Sequence, residues 1–153
     1  RLTQEQRDRY RVVVSLGTTP SRIASIQPML ESLIEKQDTS PRMVYLVLPE
    51  RELDGDKLHF EIPDFVSNYV HEKKLYLLTP DFDYGPITKV LYSIEMESLD
   101  TRIICMDGDD AVVDHTFIST FLQQSLHYPD SALGFSGATL SNYFRPSIVM
   151  SGI

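Results

Sequence analysis

The chain has 153 residues, of which 42% are hydrophobic and 24% charged, the balance of an ordinary globular domain. That length fits one domain spanning 1–153 and leaves enough chain for a sizeable core. A formal net charge of −8, with 22 acidic against 14 basic residues, argues against a nucleic-acid binder, which needs a basic face or stripe.

Apolar runs alternate with helical periodicity, the pattern of βαβ units in a mostly parallel sheet. Val12 to Leu16 is a first buried strand. Thr19 as N-cap and Pro20 at the first helical position then predict a helix with Ile23, Ile26, Leu30, Leu33 and Ile34 as its apolar stripe. Pro28 should kink or restart it. Met43 to Leu48 is a second strand, closed by Pro49, and residues 50–65 read as a polar loop with room for a short helix. Lys74 to Leu78 is a third strand. A loop from Thr79 to Gly85 leads into a helix from Pro86, with Ile87, Val90, Leu91 and Ile94 on one face. Arg102 to Met106 is the fourth strand. Asp114 is placed to cap the next helix, whose face is Phe117, Ile118, Phe121 and Leu122 and which ends before Pro129. Ala132 to Phe135 completes the set as a short fifth strand, and after Gly137 the signal fades into Ser, Asn and Gly.

The most informative stretch is Arg102-Ile-Ile-Cys-Met-Asp-Gly-Asp-Asp110, an apolar run ending in Asp107, Asp109 and Asp110. Clustered carboxylates repel one another and raise each other's pKa unless a cation binds among them. A hard divalent ion with oxygen ligands is the usual solution, and the carboxyl end of a strand is where open α/β sheets bind ligands. The bland alternative is a polar turn. Asp54-Gly55-Asp56 carries the same letters with no strand before it and reads as solvated loop. An EF-hand is excluded, because Ala111 and Ile118 fall on ligand positions.

A second constellation is Asp83-Tyr84-Gly85-Pro86-Ile87-Thr88-Lys89. Lys89 falls in a helix's first turn, where the macrodipole disfavours a cation. An anion held by that N-terminus would explain it, with Thr88 adding a hydroxyl and Gly85 allowing close approach; an exposed lysine tolerated at small cost is the alternative. Thr18-Thr19-Pro20-Ser21-Arg22 repeats the pattern after the first strand, although capping alone accounts for its hydroxyls. Two cationic helix starts and one acidic strand end on the same sheet edge describe a pocket for a pyrophosphate and its metal.

Other signals are weaker. His59, His71, His115 and His127 share no ligand spacing, and no G-x-S-x-G, P-loop or cysteine pair is present. Cys105 is the only cysteine, so it forms no internal disulfide and reads as a small buried hydrophobe. No stretch reaches the length of a membrane span and residues 1–10 lack the apolar core of a signal peptide, so no transmembrane segment and a cytoplasmic location are expected. The opening at Arg1 instead of methionine points to a cut or processed piece.

The segments VVVSLGTTPSRI, DYGPITKVL, IICMDGDDAVV and ALGFSG, in that order, resemble small glycosyltransferases of the GT-A fold related to family 2. The resemblance runs from about residue 11 to 137. It implies a Rossmann-like three-layer α/β/α sandwich with a mostly parallel central sheet. It implies a nucleotide-sugar donor (a UDP-, GDP- or dTDP-sugar), a glycan or other hydroxyl acceptor, and Mn²⁺ or Mg²⁺ bridging the diphosphate to an Asp-x-Asp motif. On that match Asp109 is the metal-side carboxylate, Asp107 lies toward the ribose or metal, and Asp110 supports. Thr18, Thr19, Pro20 and Arg22 line the nucleotide pocket, and Asp83, Gly85 and Lys89 form its other wall.

An inverting transferase needs a carboxylate base for the acceptor hydroxyl. No Asp or Glu follows Asp130, so the base is not found in this chain. Truncation of the domain, a retaining mechanism or loss of activity each account for that, and truncation is preferred. Two rivals stand beside this reading. A HAD-type phosphoryl hydrolase would use Asp107 as nucleophile and Asp109 as acid, but its motif normally follows the first strand, and here three precede it. A non-catalytic glycosyltransferase-like nucleotide-binding module is the other.

Overall fold

The computed structural model describes residues 3, 5, 10–50, 61–108 and 112–134. Four strands form one sheet: β1 Val12–Gly17, β2 Met43–Val47, β3 Leu75–Leu78 and β4 Arg102–Asp107. Every pairing is parallel and the order is β3-β2-β1-β4. Parallel strands buried on both faces read as continuous apolar runs, which is why Val12-Val13-Val14 and Val44-Tyr45-Leu46-Val47 are legible as strands. Four α-helices accompany them: α1 Gln27–Ile34, α2 Asp64–His71, α3 Thr88–Met96 and α4 Phe117–His127. The fold is therefore mixed α/β with an all-parallel four-stranded sheet among the described residues.

Strand periodicity divides the sheet into two faces. Val12, Val14, Leu16, Val44, Leu46, Leu75 and Ile104 share one core with Leu30 and Leu33 of α1, Val66 and Tyr69 of α2, and Ile118 and Leu122 of α4. Ser15 belongs to the other face, and its hydroxyl bonds the carbonyl of Lys89 in α3 at 2.8 Å. Helix α3 packs on β1, β2 and β4 from that side.

Local structure departs from the sequence expectations in several places. No helix starts at Thr19. Its carbonyl accepts from the Arg22 and Ile23 amides at 3.0 Å each, forming a turn, and a 3-10 segment Ile23–Ser25 follows. Helix α1 begins at Gln27 with Pro28 in its first turn. There the missing N–H would have no helical partner anyway, so of the two roles expected for Pro28, kink or restart, the restart is the one seen. Helix α2 starts at the end of the 50–65 stretch, expected as loop with room for a short helix, and runs on through residues 66–71, where the sequence predicts no element; it buries Val66 and Tyr69. Asp114 does not cap α4 directly. Its carboxylate accepts from the Thr116 amide at 2.9 Å and hydroxyl at 2.7 Å, an Asx turn ahead of the helix that lowers its pKa.

Helix α3 is turned opposite to expectation. Thr88 and Ser93 are buried, while Ile87, Leu91 and Ile94 are exposed. Cys105 is exposed, not buried, because β4 is an edge strand among the described residues. Of the expected fifth strand, residues 132–134 are irregular, and Phe135 lies outside the described residues. Asp54-Gly55-Asp56 and His59 also lie outside them. No helix among the described residues is long and apolar enough to cross a membrane.

Candidate functional site

The carboxyl ends of β1, β2 and β4 converge on a pocket of about 370 Å³. The chain runs from β1 out to β3 on one side and then crosses to β4 on the other, so the order in which strands are added reverses between β1 and β4. Loops at such a reversal diverge and leave a crevice between them. Gly17, Thr18, Thr19 and Arg22 line it after β1, Val47 and Pro49 after β2, and Asp107 at the end of β4. Asp83, Gly85, Pro86, Thr88 and Lys89 form the wall before and within α3.

Eight residues singled out from the sequence thus share one pocket: Thr18, Thr19, Arg22, Asp83, Gly85, Thr88, Lys89 and Asp107. Pro20 does not line it. Asp109 and Asp110 lie outside the described residues. Gly17, Val47, Pro49 and Pro86 were not anticipated. Val47 and Pro49 arrive through strand order, since β2 neighbours β1, and local sequence carries no sign of that.

The α3 wall is built around Asp83. Its Oδ1 accepts from the Gly85 amide at 2.7 Å and from the Thr88 hydroxyl at 2.9 Å. The Thr88 hydroxyl in turn accepts from the Tyr84 amide at 2.7 Å. Thr88 is therefore a turn-forming residue, and its hydroxyl is not held ready for an anion as the sequence suggested. Gly85 sits at φ 74°, a left-handed conformation that glycine adopts without steric penalty.

Lys89 already has an anion. Its Nζ forms an ion pair with Asp107 Oδ1. The carbonyl of Lys89 accepts from the hydroxyls of Ser15 at 2.8 Å and Ser93 at 2.9 Å, which fixes the residue over β1. Its stem passes across Gly17, where an added Cβ would lie 3.4 Å from Lys89 Cδ. The cation that looked misplaced at a helix start is thus directed onto the strand-end carboxylate.

Gly108 is required by proximity. Its amide donates to the Gly17 carbonyl at 2.7 Å, and a Cβ there would meet that oxygen at 2.6 Å. Beside it, the Thr18 amide donates to the Val47 carbonyl at 3.1 Å. The Thr18 hydroxyl is buried with no hydrogen-bond partner among the described residues. An unsatisfied buried hydroxyl costs about 1–3 kcal/mol, and such an atom beside a pocket is a donor in want of an acceptor.

Among the described residues no three His, Cys, Asp or Glu side chains are grouped to hold a metal ion. Asp83 and Asp107 are the described carboxylates that line the pocket; Asp83 Oδ1 is engaged in its turn, while the Asp107 side chain is 64% exposed. A larger cleft of about 650 Å³ follows the edge of β4, lined by Leu99, Ile103, Cys105, Phe117 and Phe121 among others. It is mainly apolar along its helix side, with Asp100 and Arg102 as its charged lining at the start of β4. His71, His115 and His127 line neither. No protein-family model matches the chain, and no characterised protein was found to match it.

Proposed function

We propose that this pocket binds the diphosphate of a nucleotide-sugar, and that the chain is the donor-binding part of a GT-A-type glycosyltransferase. One observation carries the reading: Thr18, Thr19 and Arg22 after β1, Asp83 to Lys89 before and within α3, and Asp107 on β4 surround one crevice at the sheet's reversal point. A crevice at the carboxyl ends of parallel strands is the general ligand position of such sheets. Arg22 and Lys89 supply positive charge for phosphate oxygens, and the Thr18 hydroxyl supplies a donor without a partner among the described residues.

The donor set is compatible with a divalent ion, since an exposed aspartate oxygen suits a hard cation. Asp107 would hold it, with Asp109 as the second carboxylate the sequence offers. When bound, Mn²⁺ or Mg²⁺ supplies charge stabilisation for a departing nucleoside diphosphate. The chain's own contribution is orientation: the Asp83 turn and the Ser15 and Ser93 bonds fix Lys89 before any ligand arrives, and preorganised charge is the effective kind.

A thermal-shift screen of UDP, GDP, dTDP and CDP with and without Mn²⁺ tests this. Binding to the folded state raises the melting temperature, so one base should give the largest shift, and only in the presence of metal. Asp107→Asn and Asp109→Asn should each remove that metal-dependent increment, and Lys89→Ala should reduce it. No shift with any of the four diphosphates would refute the proposal.

A further inference from the structure

Among the described residues, the pocket's charged side chains balance before a ligand enters. Its charged lining among the described residues is Arg22, Lys89, Asp83 and Asp107, two cations and two carboxylates. Within it Lys89 pairs directly with Asp107, and the Lys89 side chain is only 11% exposed. That ammonium is held at its root by Ser15 and Ser93 and guided along its stem by Gly17. The position is a product of the fold and not of a mobile surface lysine finding a nearby acid.

A divalent ion approaching Asp107 therefore meets a carboxylate whose charge is already answered, with a fixed like charge beside it. A diphosphate changes this balance. Its oxygens offer the ammonium another partner, and the summed charge at the end of β4 turns negative, which attracts a cation. We propose that Lys89 is a built-in counter-ion that keeps a divalent ion off Asp107 until a diphosphate occupies the pocket. This rests on the reading of the pocket as a diphosphate site. Metal and diphosphate then bind with positive cooperativity, and by linkage each raises the affinity for the other by the same factor.

The test is Mn²⁺ affinity without nucleotide, measured by paramagnetic resonance of the free ion. Lys89→Met should bind Mn²⁺ alone about tenfold more tightly than the parent protein, since one fixed like charge has been removed. Lys89→Arg, which keeps the charge, should not. Adding Asp107→Asn to Lys89→Met should abolish the gain. Lys89→Gln serves the same comparison if Lys89→Met fails to fold.

Equal Mn²⁺ affinity in the parent and the neutral variants would overturn the counter-ion role. A titration of the parent protein with UDP, GDP, dTDP and CDP in Mn²⁺ separates the two levels. Diphosphate binding with unchanged metal affinity in Lys89→Met defeats only the counter-ion. Absence of diphosphate binding defeats the functional reading beneath it.

Discussion

Lys73 occupies the left-handed region at φ 59° just after α2. Its amide donates to the Val70 carbonyl and the Lys74 amide donates to the Tyr69 carbonyl, each at 3.0 Å. This pair of bonds is a Schellman termination, in which the left-handed position usually belongs to glycine. A Cβ there costs roughly 1–2 kcal/mol, partly offset by glycine's greater freedom when unfolded. Lys73→Gly should therefore raise stability by about 0.5–1 kcal/mol, seen as a higher urea midpoint with an unchanged slope. Gly108 presents the opposite case. A methyl at 2.6 Å from the Gly17 carbonyl oxygen forces β1 and β4 apart at the pocket, so Gly108→Ala should lower both the melting temperature and diphosphate affinity. The sequence marked Gly108 as a turn residue. Its actual constraint is distance to a strand nearly a hundred positions earlier, which no local pattern encodes.

At the scale of the element, α3 shows what periodicity can and cannot reveal. Ile87, Val90, Leu91 and Ile94 predicted a helix here, and one is present. The same pattern pointed to the wrong buried face. Thr88 and Ser93 are the buried residues instead, and the helix backbone comes close enough to β1 for Ser15 to reach the Lys89 carbonyl. A hydrophobic stripe identifies a helix and leaves its partner unspecified. Ser93 is fully buried, so Ser93→Leu should overpack this contact, costing about 1–3 kcal/mol. It should also lift Lys89 away from Asp107. Urea unfolding should show the first effect and a diphosphate titration the second. Retained stability with parental affinity would mean that the α3–β1 contact does not position the lysine. The sequence allows for helix α2 only as a short helix within 50–65 and does not place it, for a related reason: eight residues with Val66 and Tyr69 as buried contacts give too short a stripe to fix its bounds.

Across the whole molecule, the four strands were legible as apolar runs, of which β1 and β2 are buried on both faces and β3 and β4 only in part. Their order was not, and it is the order that brings Val47 and Pro49 to the pocket with Gly17 and Asp107. The opposite region of the fold holds a second long-range tie. Glu97, with its side chain 2% exposed, accepts from Arg11 Nε at 2.5 Å and Nη2 at 2.8 Å, from the Tyr45 hydroxyl at 2.5 Å and from the Thr101 hydroxyl at 2.9 Å. The tie joins the segments entering β1 and β4 to the middle of β2. The Arg11 hydrogen bonds, opposed by burial and aided by Tyr45 and Thr101, hold the Glu97 carboxyl down at about 2. An unfolded glutamate titrates near 4.3, so between those values the unfolded chain binds more protons at this group. Stability from Glu97 is then fully present above about pH 5 and is lost as pH falls toward 2. Tyr45 has the reverse sign. Burial first, then Glu97, raises its hydroxyl to about 12, so its contribution is present below about pH 10 and is lost as pH rises from there toward 12. Urea midpoints measured from pH 2.5 to 11 should show a plateau between. Glu97→Gln should flatten the acid limb, leaving the part due to Asp114, whose carboxylate is lowered by the Thr116 bonds. Tyr45→Phe should flatten the alkaline limb, leaving the part due to Tyr69, which burial and Glu35 also raise to about 12. Neither Glu97 nor Tyr45 lines the pocket, so both variants should bind diphosphate at pH 7 as the parent does. An unaltered acid limb in Glu97→Gln would show that the Arg11–Glu97–Tyr45 tie does not carry the pH dependence of the fold.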